Sequence, residues 1–133
     1  MVTEQHEWLS KAEQSLRGAE SEFVNQRYDN AANRAYYACF QAAIAALFAV
    51  GHQPATEKGT RSHAAIQAMF SQELIHRRKV YPAELGSVLQ DVYALRQQAD
   101  YTIEPTSEKE CKRALDKTQR FVSAVRKRVE VKQ

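Results

Sequence analysis

The segment Arg-Gln-Gln-Ala-Asp-Tyr, from Arg96 to Tyr101, carries the residues best suited to chemistry in this chain. Arg96 and Asp100 are four residues apart, so on a helix they share one face. Tyr101 falls at the end of that helix, where its ring can turn back toward Arg96. A guanidinium grips phosphate through two parallel hydrogen bonds, and a nearby phenol or carboxylate can position a ribose hydroxyl. The segment therefore predicts an anion site, although a solvated i,i+4 ion pair with a packing tyrosine has the same spacing.

A second polar and aromatic segment, residues 33–40, lies upstream in an alanine-rich stretch. Asn33 and Tyr37 are four residues apart and could project one polar strip toward Arg96. A buried asparagine satisfied by its neighbours is an equally good explanation. Arg34 could be a second phosphate contact or a simple surface charge. The aromatic residues of the segment are more typical of a core or a dimer interface than of base stacking.

His63 is the histidine placed best to act as a base, provided that the third predicted helix packs against the end of the fourth. The simpler interpretation is a residue that bonds to backbone at the start of its helix. The remaining histidines, which we interpret as surface residues, are His6, His52 and His76. Neither the histidines nor the two cysteines show the spacing of a zinc site, so we predict no metal and no cofactor.

Length and composition fit one domain that spans residues 1–133. The 133 residues are 44% hydrophobic, which is enough for a packed interior. A net charge of +3 is too small to indicate a nucleic-acid-binding protein by itself. No apolar stretch reaches transmembrane length, and residues 1–10 lack the apolar core of a signal peptide. We therefore expect a soluble cytoplasmic protein with no membrane partner.

Every long segment has the apolar periodicity of a helix, and none alternates like a strand. The predicted helices run from Thr3 to Gln26, Asp29 to Val50, Ser62 to Ile75, near Pro82 to before Pro105, and Ser107 to about Val129, with a loop over 51–61 and a basic turn at Arg77-Arg78-Lys79. Five helices joined by mostly short loops predict an all-α, up-and-down bundle.

Local capping residues support the predicted helix boundaries. Thr3 and Asp29 are suitable N-caps for the first two helices, and Gly51 ends the second. Ser107 and Glu110 have the spacing of a capping box at the start of the fifth helix. These residues place both ends of the helix that carries Asn33 and the starts of the first and fifth helices.

The fifth predicted helix is strongly basic. From Lys109 onward the chain has nine lysines and arginines against three acidic residues. Such a charge run is usually a solvated helix face. The alternative is a track for an RNA backbone, which would make binding steeply dependent on salt.

Both polar segments resemble parts of the HEPN family (named for higher eukaryotes and prokaryotes nucleotide-binding). The stretch from Asn33 to Phe40, followed by Ala-Ala-Leu at 45–47, resembles the second helix of HEPN proteins. The segment from Arg96 to Tyr101 is similar to the Arg-x-x-Ala-Asp-Tyr ending of the small prokaryotic branch. His63, with Phe70 seven residues later, matches that branch as well. The resemblance covers nearly the whole chain, from about residue 9 to residue 125.

The resemblance implies a HEPN-like bundle of four to five helices that forms a homodimer, with the arginine motifs of two subunits in one cleft. Many HEPN proteins are metal-independent ribonucleases that bind RNA at an arginine followed, after four to six residues, by a histidine. Small prokaryotic members are often encoded beside a minimal nucleotidyltransferase that acts as the antitoxin. On this pattern Arg96 would hold the scissile phosphate.

The sequence departs from the ribonuclease pattern where the histidine should stand. The corresponding positions hold Tyr101, Thr102 and Ile103. An imidazole is well suited to remove the 2′-hydroxyl proton near neutral pH, whereas a phenol with an ordinary pKa near 10 is a poor base. Arg96 therefore carries over as a phosphate contact, and the catalytic histidine does not carry over.

Three hypotheses follow from these residues. The first is a toxin-like endoribonuclease that needs no metal and lacks the usual histidine. The second is a non-catalytic nucleotide-binding accessory subunit of a nucleotidyltransferase, which could modify Tyr101. The third makes the pair of Arg96 and Asp100 a structural brace. The predicted catalytic residues are Arg96, Tyr101, Asp100 and His63, and the predicted RNA- or nucleotide-binding residues are Arg96, Asn33, Arg34 and Tyr37.

Overall fold

The computed structural model describes residues 3–54 and 62–131, and within them it contains helices and no strand. The elements are α1 (Glu4–Val24), α2 (Tyr28–Ala49), α3 (His63–Met69), a π-helical segment (Phe70–Arg77) that continues α3, α4 (Ala83–Tyr101) and α5 (Glu108–Val131). The predicted all-α bundle of five helices is confirmed, with α3 and its π-helical continuation counted as one. Most of the predicted loop over 51–61 lies outside the described residues.

Helix α2 is the centre of the bundle and packs against each of the other α-helices. Its alanines lie at the packed surfaces, where their small side chains let neighbouring helices approach closely. The buried alanines of α2 are Ala31, Ala32, Ala35, Ala38, Ala42, Ala43, Ala45 and Ala46. Because α2 packs against both α3 and α4, its residues can meet side chains from both of those helices.

Of the capping predictions, only that for Asp29 is wrong; Thr3 is the N-cap residue of α1, and Gly51, with φ of 80°, follows the end of α2. The capping box is present, since the Glu110 N–H donates to Ser107 Oγ and the Ser107 N–H donates to Glu110 Oε1, both at 3.1 Å. Asp29 does not cap α2, which begins one residue earlier; its carboxylate instead accepts from the Thr106 N–H at 2.8 Å. Thr3 occupies the N-cap position of α1, but its hydroxyl pairs with His6 Nδ1 rather than with a backbone N–H.

The third helix extends two residues beyond the predicted end at Ile75 and changes to π-helical geometry at Phe70. Arg77 is therefore helical rather than part of a turn, and the left-handed residue that reverses the chain is Lys79, with φ of 54°. Gly86 lets α4 approach this segment, because a Cβ there would lie 2.9 Å from Ile75 Cδ1. No helix in the described part of the chain is long and apolar enough to cross a membrane.

The inner face of α5 matches its predicted pattern. Residues that recur at helical spacing along this face are all buried: Cys111, Ala114, Leu115, Thr118, Phe121, Val122 and Val125. Thr118 also contacts α2, where Cys39 Sγ lies 3.6 Å from its hydroxyl oxygen. The lysines and arginines of α5 point outward, so the helix closes the core on one face and carries charge on the other.

Candidate functional site

Arg96 lies near the end of α4 and is buried, with only 8% of its surface exposed. A buried charge is expensive unless it is paired and hydrogen-bonded, so the partners of this guanidinium explain how it is tolerated. Its Nε donates to Asp100 Oδ2 at 3.0 Å. Its Nη2 donates to the phenol oxygens of Tyr37 at 3.2 Å and Tyr101 at 3.3 Å, and Nη1 reaches Gln97 Oε1 at 3.4 Å.

Three tyrosine rings surround the same guanidinium. The carbon Cζ of Arg96 lies 5.6 Å from the ring centroid of Tyr36 and 5.4 Å from those of Tyr37 and Tyr101. A cation within about 6 Å of an aromatic centroid is attracted by the ring quadrupole. The rings therefore hold the guanidinium in place from both α2 and α4.

Asp100 links α4 to α2 through one carboxylate oxygen. Oδ2 accepts from Arg96 and also from Asn33 Nδ2, the latter at 2.8 Å. Asn33 in turn accepts from Arg34 Nε at 3.1 Å, and the Arg34 guanidinium lies 5.0 Å from the ring centroid of Tyr37. The structure thus brings together all the predicted binding residues, in a chain of polar contacts from Arg34 to Arg96.

The hydroxyl of Tyr101 contacts the buried cluster, while most of the residue faces solvent. Its hydroxyl meets Arg96, as the predicted turn of its ring requires, but the residue is 68% exposed. Ile103, two residues on, is fully exposed. Of the side chains around Arg96, Tyr101 is therefore the one that solvent reaches most easily.

His63 also joins this cluster, so α3 does pack against the end of α4. Its Nδ1 lies 2.5 Å from Tyr36 Oη, and its ring packs among those of Tyr37, Phe40 and Tyr93. The simpler prediction, a bond to backbone at the helix start, is wrong for this histidine, because the capping bond is made by Ser62 and the imidazole turns inward to a phenol.

Burial controls the electrostatics of the cluster. It lowers the pKa of His63, and the positive charge of Arg96 lowers that pKa further. Burial also raises the pKa of Tyr36 well above its ordinary value, so its phenol keeps its proton. For Arg96 itself, burial lowers the pKa, but Tyr37, Asp100 and Tyr101 together raise it above the ordinary value. The site therefore contains a charged guanidinium beside a neutral imidazole.

Two members of the cluster were missed by the sequence analysis. Tyr36 was assigned to core or interface, yet its hydroxyl contacts His63. Tyr93, three residues before Arg96 on α4, was given no role, and its ring contacts both Tyr36 and His63. The spacing of Tyr36 and Phe40 signals one apolar helix face; only the packing of α3 shows that a histidine lies against it.

The structure offers little for a metal ion. Among residues 3–54 and 62–131 no group of three or more His, Cys, Asp or Glu side chains is arranged to hold one. Of the other histidines, His76 is exposed as predicted and His52 is half-buried, which the sequence did not predict.

A comparison of the chain with known protein families finds a match. The HEPN domain matches residues 5–128, nearly the whole chain. The chain belongs to the HEPN family. The resemblance of its two polar segments to HEPN motifs is thereby confirmed at the level of the family.

Curated relatives cover most of the HEPN chain. It is 32% identical over 117 residues to a protein of Methanocaldococcus jannaschii named "Putative toxin MJ0605", covering 87% of this chain and 81% of that protein. It is 29% identical over 124 residues to a UPF0332 protein of Thermotoga maritima, covering 92% and 89%. It is 32% identical over 101 residues to the UPF0332 protein glr0978 of Gloeobacter violaceus, covering 76% and 75%.

Proposed function

We propose that this HEPN protein binds a phosphate of RNA at Arg96 and acts as a toxin-like endoribonuclease that needs no metal. The observation that carries the proposal is the buried, charged Arg96 guanidinium, held by Asp100 and two phenols beside the neutral imidazole of His63. The name of the archaeal relative is in keeping with a toxin. A simple brace between two helical turns requires neither the phenols nor the imidazole.

Phosphate would enter the site by replacing the hydroxyl of Tyr101. That tyrosine is 68% exposed, so its hydroxyl can be displaced from Arg96. Asp100 and Tyr37 would keep their hydrogen bonds to the guanidinium. Once Tyr101 moves aside, Nη2 is free to donate to a phosphate oxygen. Because Asp100 fixes the guanidinium through Nε, little rotamer entropy remains to be lost on binding.

Cleavage would proceed by attack of the ribose 2′-oxygen on the phosphorus. The bond from phosphorus to the 5′-oxygen breaks, the 2′-hydroxyl proton passes to solvent, and the departing 5′-oxygen takes up a proton from solvent. The products are a 2′,3′-cyclic phosphate and a 5′-hydroxyl end. Arg96 would stabilise the negative charge that develops on the phosphate oxygens in the transition state. His63 would face the same phosphate, and its role depends on which of its nitrogens carries the hydrogen.

A second copy of the chain would complete the RNA cleft. Tyr101 and Ile103 are large hydrophobic residues exposed beside Arg96, at the end of α4. An exposed apolar surface beside a polar site is typical of an interaction surface. Sedimentation of wild type and Ile103→Lys tests this part: a dimer that dissociates in the variant supports it, and a wild-type monomer refutes it.

RNA cleavage in EDTA tests the proposed activity. Wild type, Arg96→Ala and Arg77→Ala would be compared on a mixed RNA after circular dichroism confirms their helicity. Arg77 is the matched control, since it also pairs with a carboxylate four residues away but is exposed. We expect cleavage by wild type and Arg77→Ala and none by Arg96→Ala. Equal cleavage by all three would remove Arg96 from the mechanism.

The exposure of Tyr101 favours a second candidate function. Here the protein is a non-catalytic accessory subunit of a minimal nucleotidyltransferase, and Tyr101 accepts a nucleotide from it. The phenol oxygen would attack the α-phosphate of a nucleoside triphosphate, pyrophosphate would leave, and the phenol proton would pass to solvent. Mass spectrometry of the protein co-expressed with such an enzyme decides the matter, with Tyr101→Phe as the control. An unmodified wild type would refute it.

A further inference from the structure

The hydrogen bond between Tyr36 and His63 bears on what His63 can do at the phosphate site. Tyr36 is completely buried on α2, and its hydroxyl lies 2.5 Å from Nδ1 of His63. A neutral imidazole has one N–H and one lone pair, and the bond made by one nitrogen determines which of them the other nitrogen presents. The direction of this bond therefore decides whether Nε2 donates or accepts.

The surroundings of Tyr36 favour the phenol as the donor. In the described part of the chain its hydroxyl has one hydrogen-bond partner, Nδ1 of His63. A phenol has a single hydrogen, and a burial-raised pKa keeps that hydrogen in place. If Nδ1 donated instead, the hydrogen of this buried phenol would have no acceptor, so the phenol hydrogen is directed at Nδ1 of His63.

The groups around His63 also disfavour its cationic form. From α2 it meets Tyr36, Tyr37 and Phe40, and from α4 it meets Tyr93 and the charge of Arg96. These neighbours are aromatic rings and a positive charge. Neither stabilises the positive charge of a half-buried imidazolium as a carboxylate would. His63 therefore enters the reaction as a neutral imidazole whose hydrogen-bond direction is set by Tyr36.

We propose that Tyr36 is a positioning residue that holds His63 in the tautomer with hydrogen on Nε2, so that His63 donates a hydrogen bond to the phosphate beside Arg96 instead of acting as the base. This inference rests on the proposed phosphate site. It assigns to His63 and Arg96 one shared task, the binding of phosphate oxygens. The 2′-hydroxyl proton then leaves to another acceptor, such as solvent.

The tautomer can be measured without any RNA. Long-range proton–nitrogen NMR spectra of nitrogen-15-labelled protein distinguish the two neutral forms of an imidazole, and a His63→Gln variant assigns the signals. We expect the form with hydrogen on Nε2 in wild type and a mixture of forms in Tyr36→Phe. Tyr93→Phe is the matched control, because its ring also packs on His63, and we expect it to leave the tautomer unchanged.

Two results of that NMR experiment would overturn the inference. One is hydrogen on Nδ1 in wild type, and the other is the same tautomer in wild type and in a helical Tyr36→Phe. Neither depends on RNA cleavage, so a protein that proves inactive still answers the question. A failure of the inference is thereby distinguished from a failure of the proposed function.

Substitution of His63 separates a donor from a base. The amide nitrogen of His63→Gln can take the place of Nε2–H as a donor but cannot accept a proton, whereas His63→Ala does neither. We expect inorganic phosphate to bind His63→Gln within about threefold of wild type and His63→Ala about three- to tenfold more weakly, as for one lost hydrogen bond. Equal losses in both variants would overturn the donor role. Phosphate binding by none of the three proteins would instead refute the proposed site.

Discussion

Two ion pairs of this protein have the same spacing and nearly the same length but different surroundings. Arg96 with Asp100 on α4 and Lys112 with Asp116 on α5 are both i,i+4 pairs, and in both the nitrogen lies 3.0 Å from the carboxylate oxygen. The side chains of the first pair are 10% and 24% exposed, and those of the second are 60% and 45% exposed. The two pairs share their spacing along the helix but differ in their burial.

Burial makes the pair of Arg96 and Asp100 part of the candidate site. Helix α2 packs over Arg96 and supplies the Tyr37 phenol and the rings of Tyr36 and Tyr37, and Tyr101 of α4 adds a second phenol and a third ring. Lys112, by contrast, faces solvent. Exposed ion pairs contribute little to stability because water and salt screen them, and buried ones are costly to break. The comparison shows that a helical ion-pair spacing carries functional information only once the packing around it is known.

Replacement of Arg96 should have the largest effect. We expect Arg96→Ala to lose phosphate binding and to lower the free energy of unfolding by about 2 kcal/mol, because it leaves Asp100 without its cationic partner and the Tyr37 hydroxyl without its donor. Urea denaturation and phosphate titration measure the two effects. Arg96→Lys keeps the charge without the planar fork, so its phosphate affinity should fall between those of wild type and Arg96→Ala. Loss of stability with unchanged binding would instead make this pair a structural brace.

A double-mutant cycle on Asn33 and Asp100 should show the next largest effect. These residues are 67 positions apart in the chain and 2.8 Å apart in space. Because the bond involves a carboxylate, we expect a coupling energy of about 1 kcal/mol between Asn33→Ala and Asp100→Ala. Urea unfolding of wild type, both single variants and the double variant measures it. Additive losses would mean that the contact between α2 and α4 contributes nothing at this point.

The pH dependence of stability should distinguish the buried cluster from the exposed pair. Burial, followed by the charge of Arg96, lowers the pKa of His63 in the folded protein, while the unfolded chain has an ordinary value near about 6.5. The unfolded state therefore takes up the proton first as the pH falls. The contribution of His63 is complete above about pH 6.5 and is lost as the pH falls from there through the folded pKa.

The comparison of wild type with His63→Gln isolates this contribution. Between about pH 7.5 and pH 5 the stability of wild type should fall more steeply than that of the variant, since the variant has no imidazole to protonate. Urea midpoints at several pH values provide the measurement. Parallel curves for the two proteins would contradict the lowered pKa of His63.

The α5 pair should give the smallest effect. We expect Lys112→Ala to change the free energy of unfolding by less than about 0.5 kcal/mol, and the change should shrink further as salt is added. A loss as large as that of Arg96→Ala would show that exposure does not separate the two pairs. Lys112→Ala thus serves as the surface control for the whole series.

The helices and the composition of the site were predictable from local pattern. The apolar stripes of α1, α2, α4 and α5 repeat at helical spacing, and the inward residues of α5, from Cys111 to Val125, are buried as that spacing requires. The spacing of Arg96 and Asp100 likewise placed them on one face. Such predictions succeed because the period of a helix is fixed by its own backbone hydrogen bonds.

The failures involve residues whose partners are distant in the chain. Asp29 has the sequence of an N-cap, but the loop before α5 offers it the N–H of Thr106. The change to π-helical geometry at Phe70 has no local signal that the sequence analysis found, and Gly86 of α4 packs against that segment. Local propensity is worth a fraction of a kcal/mol per residue, so a tertiary contact can override it.

The sequence by itself determined the helices, the family resemblance, and the set of polar residues from which the site is made. Tertiary structure alone decided that Arg96 is buried, that Asn33 meets Asp100, and that His63 turns inward to Tyr36 rather than to its own helix end. The physical reason is that hydrogen-bond spacing along a helix is a local property. Burial and the partner of a buried polar group, by contrast, depend on which helices pack together.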